Sequence, residues 1–317
     1  MNRRTAIRNL MVAGAVSLLG RPLRGIASDD PPDFVIRSDV RLVLLDVSVK
    51  DREGGWVSGL SKDNFRVDEN GALQDITVFA NNDIPVTVGI LVDNSRSMTA
   101  KRTEVLSAAT TFIQQSNPND EIFVLNFNDT VKRGLPKDML FSDDIRQLRA
   151  ALSRGFPEGR TALNDAIVDG LHQLELGKRD KKTIIVISDG GDNASKVNTL
   201  VSITAMAERS NAVIYTVGIF EKNDPDANPG VLRRLAERSG GESFFPEEPG
   251  EMQGISEHIA HDIRSQYTIG YAPNNIKPDG AHRSIRLTAK APGSGEKLRV
   301  RTRKGYVEDY VAERGTR

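Results

Sequence analysis

The feature that most constrains this chain is a regular alternation of short apolar runs with amphipathic stretches of helical length. The alternation extends over about residues 83–265 of the 317. The apolar runs lie at residues 86–92, 121–127, 183–188 and 212–219, with a weaker one at 243–245. Continuous Val, Ile and Leu runs are typical of strands covered on both faces, and their alternation with helices is typical of a parallel sheet. The sequence therefore predicts an α/β fold with a doubly wound, mainly parallel sheet.

The helices of this domain are predicted from apolar spacing and from stop signals. One apolar stripe is formed by Leu163, Ala166, Ile167, Gly170, Leu171 and Leu174, and another by Met252, Ile255, Ile259 and Ile263. This spacing places each set on one face of a helix. Further helices are predicted at residues 99–115, 143–152, 199–210 and 230–239, the last before the stop signal Gly240-Gly241. Residues 131–135 are predicted to turn back as an antiparallel edge hairpin.

The two flanks of the α/β domain carry the alternation and the turn residues of β-hairpins. Residues 35–82 contain runs at 40–49, 65–67 and 74–79, separated by Gly54-Gly55 and Asn70-Gly71, and residues 266–310 contain runs at 267–271, 283–289 and 297–302. Neither flank alone has enough strands to bury a sheet face. We therefore expect the two flanks to pair into a smaller β-sandwich-like domain. The α/β domain at 83–265 would be inserted in this smaller domain or flanked by it. Independent hairpins docked on the α/β domain are the alternative.

The N-terminus has the character of an export signal. Its first 27 residues contain five arginines and no acidic residue, and an apolar stretch from Leu10 to Leu19 is too short for a stable membrane span. The run NRRTAIR at residues 2–8 resembles a twin-arginine signal, although Ala6 stands where Phe is usual, so a general secretory signal is an alternative. A short buried helix is another. We predict a signal peptide at 1–27, a linker at 28–34, a tail at 311–317, no later membrane span, and a periplasmic or secreted bacterial protein.

Composition and missing motifs narrow the function classes. Lys+Arg and Asp+Glu both number 43, so the overall charge does not favour nucleic acid or an anionic membrane surface as a partner. The chain has no cysteine, which excludes disulfides, thiolate nucleophiles and zinc–thiolate sites. It contains no G-x-S-x-G, P-loop or H-E-x-x-H motif. His258 and His261 lie beside Asp262 on the last predicted helix, where a polar helix face is favoured over a metal site because no third ligand is evident.

The segment PVTVGILVDNSRSM at residues 85–98 combines a buried strand with a polar loop. Asp93, Ser95 and Ser97 follow the strand at alternate positions, before a helix predicted to begin near residue 99. Ligands gather outside the carboxyl ends of the strands in a parallel sheet. A carboxylate and two hydroxyls supply oxygen ligands of the kind that Mg²⁺ prefers. Helix N-capping by Asp93 and Ser95 is the alternative interpretation of this motif alone.

Two further segments bring oxygen-bearing side chains to the same predicted sheet edge. Thr161, in GRTAL, stands at the start of the helix with the clearest apolar stripe, and Asp189 follows the buried run at 183–188. Asp192 and Asn193, in SDGGDN, are candidates for the rim of the site, with a surface turn as the alternative. The three segments together predict one centre for a divalent cation, Mg²⁺, with Mn²⁺ or Ca²⁺ as alternatives.

These three segments, in this order and at this spacing, resemble the metal-ion-dependent adhesion site of von Willebrand factor A domains over residues 85–266. The resemblance implies that the hydroxyls of Ser95, Ser97 and Thr161 are metal ligands, and that Asp93 and Asp189 bind the metal directly or through water. It also implies an open metal position for an acidic side chain of a partner protein. The flanking sequences DVSVKDREGGWVSGLSKDNFRVDENG, QYTIGYAPNN and RKGYV resemble those of an acidobacterial group of related proteins.

The function expected from this resemblance is metal-dependent protein binding in adhesion or assembly, and not catalysis. A hydrolytic metal site normally needs a positioned general base, and no motif in the chain supplies one. An accessory subunit of an exported complex and a metal-dependent hydrolase are the alternatives.

Overall fold

The computed structural model describes residues 42–220, 226–248, 250–275 and 280–307. The predicted signal peptide, linker and tail lie outside these residues. The strands are β1 (Val43–Lys50), β2 (Phe65–Glu69), β3 (Ala72–Gln74), β4 (Ile76–Ala80), β5 (Val86–Asp93), β6 (Glu121–Phe127), β7 (Val131–Arg133), β8 (Lys181–Ser188), β9 (Ala212–Gly218), β10 (Ser243–Phe244), β11 (Tyr267–Tyr271), β12 (His282–Ala289), β13 (Arg299–Arg301) and β14 (Gly305–Val307). The helices are α1 (Arg102–Gln115), α2 (Ile145–Ser153), α3 (Leu163–Glu175), α4 (Leu200–Arg209), α5 (Pro229–Ser239) and α6 (Glu251–Ser265), with short 3-10 helices at Lys62–Asn64 and Arg96–Lys101.

The central sheet has the strand order β10-β9-β8-β5-β6-β7. Neighbouring strands from β10 to β6 are parallel, and β7 pairs antiparallel with β6 at the edge. Because β5 lies between β6 and β8, the chain builds one side of the sheet from β5 and then returns to build the other. This is a doubly wound α/β arrangement, and it confirms the fold class predicted from the apolar runs.

Helices cover both faces of the central sheet. Successive residues of a strand point to opposite faces, and the middle of β5 shows what each face contacts. Ile90 lines a small cavity together with Ala108 of α1 and Met252 of α6. Leu91 points the other way, and its Cδ2 lies 3.1 Å from the position that a Cβ at Gly170 of α3 would take. Both faces of β5 are thus buried, which is why its sequence is an uninterrupted apolar run.

The flanking segments form two four-stranded antiparallel sheets, with the strand orders β13-β1-β11-β4 and β14-β12-β2-β3. Each sheet contains strands from both ends of the chain, since β1 pairs with β11 and β2 pairs with β12. Leu45, Val67, Ile269 and Ile285, which come from the two sheets, belong to one buried apolar cluster that is distinct from the cluster around the central sheet. The described residues all lie in one compact unit, and the exact domain boundaries stay predictions.

Some element boundaries differ from the sequence predictions for identifiable reasons. The apolar run at 74–79 is divided, because β3 ends at Gln74 in one sheet and β4 begins at Ile76 in the other. The run at 297–302 yields only β13, after which the chain changes sheets to form β14. The helix expected from residue 99 begins at Arg102, after a 3-10 turn of the kind common at helix N-termini.

A buried ionic cluster joins α6 to the central sheet and to the flanking sheets. The Asp262 carboxylate accepts hydrogen bonds from Tyr215 Oη at 2.6 Å and from Trp56 Nε1 at 3.2 Å, and it contacts the Arg301 guanidinium. The His258 ring packs against Trp56, with 4.7 Å between the ring centroids. Polar residues on this face of α6 therefore connect the layers of the fold.

Candidate metal centre

The candidate centre lies at the carboxyl ends of the two middle strands of the central sheet. Asp93 is the last residue of β5, and Asp189 follows directly after β8. These strands are neighbours with parallel register up to Val92 and Ile187. The topology therefore brings two residues that are almost a hundred positions apart in sequence to one sheet edge, as the rule for ligand sites in such sheets predicts.

Asp93 is held by hydrogen bonds on both carboxylate oxygens. Its Oδ1 accepts from the backbone N–H of Ser95 at 2.8 Å, and its Oδ2 accepts from the Ser188 hydroxyl at 2.6 Å. The side chain is only 2% exposed. Its orientation is thus fixed by its own loop and by the end of the neighbouring strand.

The two loop serines connect Asp93 to Asp189. The hydroxyl oxygens of Ser95 and Ser97 lie 3.1 Å apart, and the Ser97 hydroxyl donates to Asp189 Oδ2 at 2.5 Å. Asp189 Oδ1 accepts from the backbone N–H of Gly191 at 2.9 Å. The side chains of Ser95, Ser97 and Asp189 therefore form one continuous group of oxygen atoms.

Thr161 lies in the loop that leads into α3, and it lines the same open cleft, of about 610 Å³, as Ser95 and Ser97. Its backbone N–H donates to Asn193 Oδ1 at 2.9 Å, and its carbonyl accepts from the N–H of Asn193 at 3.0 Å. All three loops named from the sequence thus meet at the cleft or directly beneath it.

The two candidate rim residues occupy different positions. Asn193 lines the cleft. Asp192 instead faces the start of α3: its Oδ1 accepts from the Ser195 hydroxyl at 2.5 Å and from the Asn164 N–H at 3.3 Å, and its Oδ2 accepts from the Asn164 amide. Asp192 stabilises the loop that carries Asn193.

The electrostatics of the centre favour a cation. The pKa of Asp93 is raised to about 6, chiefly by burial and also by the nearby charge of Asp189, although hydrogen bonds from Ser188 and Ser95 oppose the rise. A positive charge bound between two buried carboxylates would favour the ionised form of both.

Sequence reasoning missed two groups that support the loop. Ser188 bonds Asp93 and also accepts from the N–H of Gly190 at 3.0 Å. Asn94 is buried, donates to Asn126 Oδ1 at 3.0 Å, and accepts from the Arg102 guanidinium. The available signal was position alone, since both polar residues adjoin the ends of apolar strands.

The donor chemistry of the centre fits a hard divalent cation. Two carboxylates and three hydroxyls supply only oxygen atoms, which suits Mg²⁺. The described residues include no group of three or more His, Cys, Asp or Glu placed to hold a metal ion. A metal at this centre would therefore depend on hydroxyl ligands, and the pair His258 and His261 with Asp262 does not form a competing group.

Comparison with known proteins gives the family. The family model for the von Willebrand factor type A domain matches residues 87–258. An uncharacterized protein of Synechocystis sp. is 23% identical over 170 residues, which span 53% of this chain and 39% of the relative, so the chain matches well under half of that protein's length. A solved structure, von Willebrand factor type A from Catenulispora acidiphila, is 14% identical with a TM-score of 0.52, covering 86% of this chain and 75% of that one. BatB from Bacteroides thetaiotaomicron is 18% identical with a TM-score of 0.46, covering 57% of this chain and all of that one. The chain belongs to the von Willebrand factor type A domain family.

Proposed function

We propose that this protein is an exported, metal-dependent protein-binding module for adhesion or assembly, in which a divalent cation coordinates a carboxylate of the partner. The observation that carries the proposal is the convergence of Ser95, Ser97 and Asp189 within hydrogen-bond distance, beside an open cleft that Thr161 also lines. Such an arrangement can hold an ion and leave it accessible from outside.

The cation would be held by Asp93, Ser95, Ser97, Thr161 and Asp189. Mg²⁺ is the proposed ion, with Mn²⁺ and Ca²⁺ as alternatives. When bound, the ion supplies a positive centre that accepts an oxygen ligand from the partner. The hydroxyl ligands are uncharged, so the two carboxylates only balance the charge of a divalent ion and leave no net negative charge at the centre. A negatively charged ligand is therefore not repelled, and an acidic side chain of the partner is favoured as the further ligand.

The residues at the cleft support recognition over catalysis. Its lining consists of hydroxyl, amide and small side chains, together with Arg96, Arg160 and the single carboxylate of Asp226. No histidine is among these lining residues, and the four histidines of the chain lie on other segments. A metal-dependent hydrolase would need a base positioned to activate water.

Export is supported by the arginine-led apolar N-terminus of the sequence. Among the described residues, no helix has both the length and the apolar character needed to cross a membrane. The protein is accordingly proposed to act in the periplasm or outside the cell, either alone or as an accessory subunit of an exported complex.

The test is capture of partners from a cell-envelope extract on the immobilised full chain, in Mg²⁺ and in EDTA. We expect a protein to be retained in Mg²⁺ and released by EDTA, and to be absent when the bait carries Ser97→Ala. Ser107→Ala, at an exposed position of α1, is the matched control and should retain the protein. Equal recovery on the Ser97→Ala bait, or metal-dependent turnover of a substrate panel without partner retention, would contradict the proposal.

A further inference from the structure

A second cavity adjoins the metal cleft and has a strongly basic rim. It has a volume of about 280 Å³, and its lining includes Lys132, Arg133, Arg154 and Phe156. These four residues define the basic recess. Glu158 is the one acidic residue among those that line it, and the floor includes the amide side chains of Asn94 and neighbouring asparagines.

The basic recess and the metal cleft share a wall of two chain segments. Asn94 lines the recess and the next residue, Ser95, lines the cleft; in the same way Glu158 lines the recess and Gly159 lines the cleft. The two segments are joined by backbone hydrogen bonds from Glu158 N to Asn94 O at 3.0 Å and from Arg96 N to Gly159 O at 3.3 Å. One ligand that lies across this wall can therefore reach both cavities.

The three cations of the recess have exposed side chains and form no close ion pair within the described part of the chain, although Arg133 also interacts electrostatically with Asp169 of α3. Other basic groups nearby are occupied: Arg160 pairs with Asp129 at 3.2 Å, and Arg102 binds Asn94. The lining holds these three cations against one carboxylate, that of Glu158, so the recess is a local excess of positive charge. Opposite charge on a partner is the simplest way to satisfy it.

Phe156 adds an apolar element to the same rim. Its side chain is 79% exposed, although a large aromatic ring gains free energy from burial. Aromatic residues, Phe included, and arginine are enriched at protein interfaces relative to the rest of the surface. Phe127 also lines the cavity but is buried, so the surface has one exposed aromatic ring and a short cluster of cations. It lacks the stacking platforms and the continuous basic groove typical of single-stranded nucleic-acid sites.

We propose that the basic recess binds a second acidic side chain of the same protein partner, so that the partner is an acidic polypeptide segment with at least two carboxylates. This inference rests on the proposed function, in which the first carboxylate coordinates the cation. The second carboxylate pairs with Lys132, Arg133 and Arg154, and the adjoining aliphatic part of the segment covers Phe156.

The test uses fluorescein-labelled hexaglutamate as the probe and hexaglutamine as its uncharged control, with fluorescence anisotropy at low salt. In EDTA, hexaglutamate should bind the wild-type protein and hexaglutamine should not. The triple variant Lys132→Gln, Arg133→Gln, Arg154→Gln should bind hexaglutamate about tenfold more weakly, as expected for the loss of several exposed ion pairs. The matched control Lys62→Gln, Lys290→Gln, Arg299→Gln removes three exposed cations elsewhere and should bind as the wild type does.

Addition of Mg²⁺ separates this inference from the proposed function. Mg²⁺ should strengthen hexaglutamate binding by the wild type, and Asp93→Ala should lose that gain. Equal affinities of the wild type and the triple variant for hexaglutamate in EDTA would contradict the proposal that the recess binds a carboxylate. Tighter binding of a labelled thymidine hexanucleotide than of hexaglutamate would contradict the proposal that the partner is an acidic polypeptide. Loss of the Mg²⁺ gain alone would overturn the metal-dependent function and leave the recess in place. If the triple variant fails to fold, the single variants Arg154→Gln and Arg154→Glu take its place. Both should weaken hexaglutamate binding in EDTA, and Arg154→Glu should weaken it at least as much as Arg154→Gln.

Discussion

Hydrogen bonds inside the polypeptide orient the side chains of the candidate centre. Ser188 and the Ser95 amide fix Asp93, and the Ser97 hydroxyl fixes Asp189. A site whose ligands are already oriented loses less conformational entropy when it binds an ion. The backbone next to Asp189 is equally constrained, because Gly190 has a φ of +81° and a Cβ there would lie 2.4 Å from the Asn228 carbonyl oxygen.

A comparison of Gly190→Ala with Gly71→Ala should separate two losses of folding free energy. One is the clash of a new Cβ with the Asn228 carbonyl oxygen, and the other is the strain of a left-handed backbone. Gly71 has a similar φ of +83° but nothing within 4 Å of its Cβ position, so Gly71→Ala should lower the free energy of unfolding by about 1–2 kcal/mol. Gly190→Ala should cost a further ~1–3 kcal/mol from overpacking. Urea unfolding measures both. A Gly190→Ala protein as stable as Gly71→Ala would mean that the loop moves freely away from Asn228.

Helix α6 is the element through which the central and flanking sheets are held together. Asp262, on α6, is fully buried and bonds Tyr215 of β9, while Arg301 of β13 contacts the same carboxylate. Burial opposes ionisation of Asp262, but Arg301, with hydrogen bonds from Tyr215 and other neighbours, holds its pKa below the usual value of 3.8. The residue is therefore charged at neutral pH.

Asp262→Asn should lower the free energy of unfolding by about 3–5 kcal/mol, since it removes the fully buried counter-charge of Arg301 and leaves this residue with the partly exposed Glu242, at 3.4 Å. A lowered folded-state pKa means that the ionised group stabilises the fold above the unfolded-state value and loses this effect as the pH falls through the folded-state value. The difference from the wild type should thus be constant near pH 7 and shrink below about pH 4. Chemical unfolding from pH 3 to pH 7 measures it, with Asp138→Asn as the exposed control. A difference that stays the same down to pH 3 would show that the charge of Asp262 is not what stabilises the cluster.

Local sequence signals predict most elements of the α/β domain, because apolar periodicity and capping residues act over a few positions. Asp144 and Thr199 cap α2 and α4 through their side chains, so these helices begin one residue after the caps. The 3-10 turn at Arg96–Lys101 was not predicted. Its residues follow no apolar period, and its geometry is set by the bonds of Ser97 to other parts of the centre.

At the scale of the whole molecule, the pairing of distant strands could be predicted only in outline. Val43 lies opposite Tyr271, and Phe65 opposite Ala289, more than two hundred positions away. Alternation indicates a strand but carries no information on its partner, whereas an incomplete sheet at each flank indicates that some partner is required.

The predicted centre could be located because parallel strands share one carboxyl edge. The basic recess could not, since Lys132, Arg133 and Arg154 come from two separate segments without a shared motif.

A bound cation should stabilise the whole fold, because at the proposed centre it would contact loops that follow β5 and β8 and precede α3. An ion at a hundred times its Kd adds about 2.7 kcal/mol by mass action, which corresponds to a Tm increase of roughly 5–10 °C for a domain of this size. Thermal unfolding of metal-stripped protein, in EDTA and in saturating Mg²⁺ or Mn²⁺, is the most direct measurement of the central claim. The account predicts this increase for the wild type and its loss in Asp93→Ala. Identical melting curves of the stripped wild-type protein with and without the ions, or the same increase in Asp93→Ala, would contradict it.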